Sequence, residues 1–474
     1  MKPFAALMAL SLTATLVGAQ TAPATPSRDA LRWVDRWLQA QVEFDQVPGL
    51  SAAVVIGQDT VWSRGFGFSD HARRVPARAD TLYSICSISK LFTSIAVMQQ
   101  WEAGRLHLDD DIALHITDFG LKRSDAAGGP ITIEALLTHS AGLPREGAQA
   151  YWTAPDFRFP SRERLLQDLK GQTSFMNAGE RYQYSNLGMA LLGEVVERRS
   201  GQPYAAYVQQ HILGPLALKD TRPFMPRDQG DRLAQGFGAR KRDGSRDPVP
   251  SFDTQGLAAA AGFTSSVLDL SRFAAWQFRL RKASQSEVLK PSTLRGMQRQ
   301  HFVDADGTAV GLGFFVSKDG GKNVAGHSGW CPGQRSTLSL QLDDEIAVVL
   351  ATNASDTESL SRYSRPIRQL LQKGLTLPAA KDAAALEAYA GEYESQPWTS
   401  ATLVLPWGED LATMDLPERD PAGALTVLKA SGKDRFRAVR ADGSLAEEWQ
   451  FVRDAQGRVI AFEVWHQRVP KRVP

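Results

Sequence analysis

The sequence predicts an α+β fold followed by a small all-β domain, and three observations carry that prediction. Strand-like runs stand at 50–56 and 60–66, and again much later at 311–316, 336–342 and 345–352. Between the two groups, residues 105–265 read mostly as short helices and loops, so distant parts of the chain must complete one sheet. From Tyr389 onward the text changes to short alternating runs punctuated by Gly and Asp turns.

Taken in order, residues 1–19 come first. Lys2 is their only charge, 4–17 is an apolar run, and Val17-Gly18-Ala19 is a small-residue cleavage site before Gln20. The run is shorter than a membrane span. It predicts a secretory signal peptide cut after Ala19, with an uncleaved anchor as the alternative, and therefore an exported protein, periplasmic or secreted. No cysteine sits at the cleavage site to carry a lipid, and no later stretch reads as a transmembrane helix. Cleavage leaves about 455 residues, enough for two to four domains. It also takes the formal charge from +2 to +1 by removing Lys2, a balance that argues against nucleic acid or an anionic membrane as partner.

Ser27 caps a helix that places Leu31, Val34, Trp37 and Leu38 on one face, and Pro48-Gly49 breaks it. The runs 50–56 and 60–66 form two strands around a Gly57-Gln58-Asp59 turn. A helix opening at Ser87 stops at Gly104, and another over 186–199 stops at Gly201. Residues 131–138 form a shorter helix. Ser266-Val267-Leu268-Asp269 is a capping-box start for a helix carrying Leu270, Phe273 and Trp276. After the later strands comes a helix with Ile367, Leu370 and Leu371. The organisation is then a main domain over 20–374, a Pro/Ala-rich linker over 375–385, and an all-β domain over 386–474 with strand runs at 402–405, 425–428 and 459–465.

Three stretches carry chemistry. In Ser87-Ile88-Ser89-Lys90, a helical reading sets the hydroxyl and the amine one turn apart on one face. Ile88, Leu91 and Phe92 around the lysine imply burial, which lowers its pKa and makes more of the neutral base that can take a serine proton. First-turn N–H groups could stabilise an oxyanion. The second stretch is Tyr184-Ser185-Asn186, and the third is His327-Ser328-Gly329, followed by Trp330 and a strand.

In this order the three motifs resemble those of the serine β-lactamase and penicillin-binding protein superfamily. The likeness is greatest to the group holding class C β-lactamases, D-Ala-D-Ala carboxypeptidases, D-aminopeptidases and class VIII esterases. It extends over about 27–372, through the stretches 104–110, 136–144 and 261–265. The resemblance implies a β-lactamase/transpeptidase-like fold, an antiparallel sheet flanked by helices plus a mostly helical subdomain at about 105–265. The C-terminal domain resembles the lipocalin-like domains appended to some members. Such a domain would cover the cleft, contact a neighbouring subunit in a homo-oligomer, or simply stabilise.

The resemblance also implies roles. Ser87 is the nucleophile, and Lys90 and Tyr184 manage protons. Asn186, which could equally cap a helix, binds the substrate's acyl-side carbonyl or the lysine. His327, Ser328, Gly329 and Trp330 form a substrate-binding edge, with backbone N–H groups of Ser87 and Trp330 as oxyanion hole. Many relatives have lysine where His327 stands. An unperturbed histidine, with pKa about 6.5, is mostly neutral near neutrality, so attraction for a substrate carboxylate should be weaker and pH-dependent. Cys86 and Cys331 stand at the offsets of a disulfide in some class A carbapenemases, which implies a bond between them; two buried free thiols are the alternative. The remaining histidines, His71, His107, His115, His139, His211, His301 and His466, show no zinc-ligand spacing, and there is no phosphate loop or dinucleotide fingerprint, so no metal or cofactor is implied. The expected function is an exported serine hydrolase acting through an acyl-enzyme on a small-molecule or short-peptide substrate: a D-amino-acid peptidase, a carboxypeptidase-like enzyme or an esterase. The alternatives are a β-lactamase, or a penicillin-binding module that acylates without turnover. Loops at 145–175 and 225–260 are expected around the cleft.

Overall fold

The computed structural model describes residues 27–125, 128–226, 230–356, 359–378 and 383–472. The expected signal segment 1–19 lies outside the described residues. Among the described residues no helix is long and apolar enough to cross a membrane.

Ser27 caps α1 (Arg28–Phe44), its hydroxyl accepting from the Ala30 N–H at 3.2 Å. The hairpin β1 (Gly49–Ile56) and β2 (Asp59–Asp70) follows. Helix α2 (Ser89–Glu102) begins after a 3₁₀ turn over Cys86–Ile88, so Ser87 sits on that turn and Lys90 in the first turn of α2. In the helical block, a five-residue helix (Ile133–Leu137) precedes α3 (Asn186–Ser200), which Gly201 ends at φ +70°. Ser266 caps α4 (Val267–Lys282). The expected capping box is only half formed: Asp269 turns away to accept from the N–H groups of Asp220 and Thr221 at 2.7 and 2.9 Å.

Four strands come next: β3 (Phe315–Asp319), β4 (Lys322–Cys331), β5 (Gln334–Gln341) and β6 (Ile346–Thr352), then α5 (Ser361–Gly374). The expected strand at 311–316 starts instead at Phe315. Gly313 turns the chain there at φ +83°, where an added Cβ would lie 2.0 Å from Ser94 Oγ. The His327 motif, expected ahead of a strand, lies inside β4. The long strands run β2-β1-β6-β5-β4-β3 in one antiparallel sheet, with two-residue strands at 75–76, 309–310 and 302–303 on its edges. Thus β1 pairs with β6, from Leu50 opposite Thr352 to Ile56 opposite Ile346.

The period-2 alternation of these strands makes two cores. Ala53, Val55, Ala347, Val349 and Ala351 pack into the front core with α2, α3 and α4. Leu50, Val54, Ile346, Val348 and Leu350 pack into the back core with α1 and α5.

The C-terminal domain is a meander of β7 (Gly391–Tyr393), β8 (Ala401–Trp407), β9 (Asp410–Leu416), β10 (Thr426–Gly432), β11 (Arg435–Val439), β12 (Leu445–Arg453), β13 (Val459–Val464) and β14 (Gln467–Pro470). It closes on itself: Glu394 N–H donates to Pro470 O at 2.8 Å and Arg472 N–H to Glu392 O at 2.7 Å. The result is an eight-stranded barrel of lipocalin-like form. Its outer face, with Leu403, Leu405 and Met414, joins the back core. The Trp33 and Trp37 indole N–H groups donate to Pro406 O at 3.1 Å and Glu418 O at 2.8 Å. The barrel therefore docks on α1, on the opposite side of the sheet from α2. Of the three roles expected for such a domain, covering the cleft of its own chain does not fit this placement.

Candidate active site

The turn that carries Ser87 is wedged between the sheet and the helical block. Ile85 N–H donates to Phe263 O at 2.9 Å, Ser84 N–H donates to Gln334 Oε1 at 2.6 Å, and Cys86 adopts φ +48°. A non-glycine residue is strained in that region, and here it immediately precedes Ser87, which is 9% exposed. On α2, Lys90 is completely buried. Its Nζ lies 3.0 Å from Ser87 Oγ, 2.7 Å from Asn186 Oδ1 and 2.8 Å from Ala260 O. Burial holds the Lys90 amine well below its usual pKa; Arg145 pushes the same way and the Glu146 charge opposes them.

Tyr184 and Asn186 flank the start of α3. Ser185 caps that helix by accepting from Gly188 N–H at 2.8 Å and donates its own hydroxyl to Pro144 O at 2.7 Å. The tie to the 136–144 loop brings the Tyr184 ring centroid within 4.8 Å of Lys90 Nζ, and Arg145 Cζ lies at the same distance. Burial raises the Tyr184 phenol above its ordinary pKa, a hydrogen bond with the Ser87 side chain pulling back only in part. At neutral pH it is a proton-bearing phenol. His139, at φ +56°, stacks 4.3 Å from Tyr184 and accepts from Ser185 N–H at 3.2 Å through Nδ1. Burial, then the Lys90 charge, keep it neutral.

Glu146 is the residue that sequence reasoning missed. Its Oε1 accepts from Asn186 Nδ2 at 2.6 Å and its Oε2 from the Tyr151 hydroxyl at 2.7 Å. The carboxylate can only accept, so it fixes which end of the Asn186 amide is nitrogen and turns Oδ1 toward Lys90. The available signal was its place directly after the 136–144 stretch, in a loop expected at the cleft.

Strand β4 brings the third motif. The His327 ring lies 6.3 Å from Tyr184 and 5.0 Å from Phe315. Its Nδ1 is 2.7 Å from Ser328 O, which can only accept, so the proton is assigned to Nδ1. Nε2 is then a buried lone pair with no partner among the described residues. Burial, helped by the Lys90 charge, pushes the His327 pKa down to about 3. The ring is uncharged near neutrality, as an unperturbed histidine mostly is, and the lowered pKa removes the pH dependence an unperturbed ring would show there. Gly329 is required by close approach, since a Cβ there would sit 2.2 Å from Ile85 O. Ser328 and Trp330 share the exposed face of β4. Ser328 Oγ is 3.2 Å from Thr337 Oγ1, and Trp330, 63% exposed, lies under Arg335 at 4.7 Å. Cys331 is disulfide-bonded to Cys86, with Cα atoms 5.9 Å apart, so β4 is tied to the turn that holds Ser87. Ser87, Tyr184 and Asn186 therefore all converge on Lys90, His327 flanks them through Tyr184, and the Ser328 and Trp330 side chains are the exposed ones on β4.

A hydroxyl, a buried amine and a phenol converging at the start of a helix match the arrangement of one family, and the family model for beta-lactamase covers residues 34–373. The chain belongs to the beta-lactamase family. It is similar to protein flp of Staphylococcus aureus, with 24% identity over 332 residues, 69% of this chain and 64% of that protein. This chain thus spans under two thirds of the length of flp. It is also similar to the D-alanyl-D-alanine-carboxypeptidase/endopeptidase AmpH of Escherichia coli, 25% identical over 390 residues, 79% of this chain and 98% of AmpH. Among solved structures, the octameric penicillin-binding protein homologue from Pyrococcus abyssi shares the fold with a TM-score of 0.64 at 23% identity, over 93% of this chain and all of that one.

Proposed function

We propose that this beta-lactamase-family chain is an exported serine hydrolase that forms an acyl-enzyme at Ser87 and acts best on D-amino-acid amides and small esters. The observation that carries the reading is the set of partners around Lys90. Asn186 Oδ1 and Ala260 O can only accept, so each takes an N–H from Nζ. A neutral amine has two N–H bonds and one lone pair, and the remaining direction leads to Ser87 Oγ at 3.0 Å. Depression of the Lys90 pKa by burial favours that neutral form. Lys90 is thus poised to accept the Ser87 proton as Oγ attacks a carbonyl carbon.

Attack forms a C–O bond and moves the carbonyl electron pair onto oxygen, where the backbone N–H groups of Ser87 and Trp330 receive it. The Cys86–Cys331 bond stiffens that pair. Collapse expels the amine or alcohol, to which Tyr184 delivers a proton while Lys90 resupplies the phenol. Water then repeats the sequence on the acyl-enzyme. One Asn186 Nδ2 hydrogen is held by Glu146, and the other is available for the acyl-side carbonyl of the substrate.

His327 sharpens the substrate class. The uncharged ring offers a substrate carboxylate no cation, so substrates without a carboxylate beside the scissile bond are favoured over β-lactams and D-Ala-D-Ala peptides. The 1–19 segment supports export. The test is a turnover panel of D-amino-acid amides, p-nitrophenyl esters, nitrocefin and an acyl-D-Ala-D-Ala peptide, with fluorophosphonate labelling of wild type and Ser87→Ala. Labelling should vanish in the variant, and amides or esters should turn over fastest. Equal labelling of both proteins rejects the nucleophile; stoichiometric labelling without turnover makes the protein a penicillin-type receptor instead.

A further inference from the structure

The barrel is not filled. One end of its interior is plugged by Tyr389, Tyr393, Phe436 and Phe451, with Tyr389 ring centroids 5.0 and 4.8 Å from those of Phe436 and Phe451. Toward the other end opens a cavity of about 1390 Å³. That exceeds the ~300–1,000 Å³ of ordinary small-molecule sites. A blind pocket of this size is more than a packing defect, because interiors normally close to crystal-like density.

Its lining is amphipathic. Trp449, Phe462 and Val464 supply an apolar wall. Ser395, Thr402 and Thr413 supply buried hydroxyls on the opposing strands. Thr402 Oγ1 donates to Asp415 Oδ1 at 2.6 Å and is itself bonded by Ser395. Thr413 is 6% exposed, and its hydroxyl has no partner among the described residues. A hydroxyl withdrawn from water and left without a partner is costly, and here it borders a space large enough for another molecule. The lining also includes two exposed indoles, Trp398 and Trp465, at 73% and 64%.

The charged lining is balanced: Lys373, Arg440 and Arg468 against Glu394, Asp415 and Glu447. Arg468 pairs with Glu463 and Glu394 with Arg472, at 3.6 and 3.5 Å. Among the described residues no basic side chain pairs with Asp415, which is the acid joined to the buried hydroxyls. We propose that the barrel is a second, non-catalytic binding site for a small amphiphile. Its apolar body lies against Trp449, Phe462 and Val464, and its primary-amine head donates to Thr413 Oγ1 and Asp415. The site is on the far side of the sheet from Ser87 and is independent of the hydrolase reading.

Calorimetric titration of the full chain with octylamine, octanol and octanoate tests it. One octylamine should bind per chain, about tenfold tighter than octanoate, the worth of one hydrogen bond to a charged group. Asp415→Asn should erase that preference while octanol binding stays the same. Val464→Trp and, separately, Ala438→Trp should partly fill the cavity at its apolar wall and weaken octylamine binding at least about tenfold, with ester hydrolysis and the circular dichroism spectrum unchanged as evidence of folding. Octanoate binding as tightly as octylamine, octylamine binding undiminished by both filling substitutions, or no binding of any of the three probes overturns the proposal. If both filled variants fail to fold, the Asp415→Asn result decides alone.

Discussion

On the back of the central sheet β1 presents Leu50, Ala52, Val54 and Ile56, while on the front the intervening Ser51, Ala53 and Val55 face the helical block. The back meets Trp33, Trp37, Leu38, Tyr363 and Leu370, all fully buried and apolar apart from two indole N–H groups and one phenol, each of them bonded. The front meets α2, whose Ser89, Lys90, Thr93 and Ser94 are equally buried but polar. Burying polar groups costs stability unless each finds a partner. The front satisfies most of them with backbone carbonyls, as Thr93 does with Ala259 O at 2.6 Å. The sheet thus serves adhesion on one side and a buried polar layer on the other, with α4 packed directly on the front of β1 and α2 lying in the same front core.

Substitutions on the two faces should separate cleanly. On the front, Lys90→Met should lower turnover of the best amide or ester by at least about a thousandfold with the melting temperature nearly unchanged. Retention of a tenth of the activity would remove Lys90 as the base. On the back, Trp33→Ala should cost about 3–5 kcal/mol in denaturant unfolding and leave kcat of the folded protein intact. A loss of kcat as large as that of Lys90→Met would break the division of labour.

The next effect is on acid stability. His327 titrates near 6.5 when unfolded but near 3 when folded, so between those values the unfolded chain binds more protons and stability falls as pH drops. Thermal melts from pH 7 to pH 4 should show His327→Gln losing about 3 kcal/mol less than wild type, the remaining loss belonging in part to His139. Parallel curves would mean that the ring is charged when folded. The smallest effect is that of Glu146→Gln. It should reduce kcat about tenfold, the worth of one charge-assisted hydrogen bond. Glu146 holds the Lys90 pKa up, so removing its charge should also move the acidic limb of the kcat profile to lower pH. An unmoved limb would leave Glu146 a merely structural contact.

The parts that could be read from the sequence were those fixed by local spacing. Ser87 and Lys90 fall one turn apart whatever surrounds them, and Ser27, Ser266 and Gly201 mark helix ends through their own backbone preferences. What escaped depends on contacts across the chain. Strand β4 was not visible because Gly326 and Gly329 interrupt its alternation, and both glycines are needed only because Leu338 O and Ile85 O press within 2.1 and 2.2 Å of where a Cβ would be. Glu146 has no periodicity to betray it, and its role follows from an amide forty residues away. The His327 pKa could not be foreseen either, since it is set by burial and by a lysine in another element. The side of the sheet taken by the barrel was equally hidden, because Leu403 and Leu405 alternate identically whichever partner they meet.

The pairing of β1 with β6 has a consequence for how the polypeptide is made. A chain emerging from its amino end offers its first hairpin long before the strand that must lie beside it exists, with the whole helical block still to come. Late ring closure of this kind slows compaction. A nascent molecule therefore stays without the pairing at the centre of its sheet until Thr352 is available.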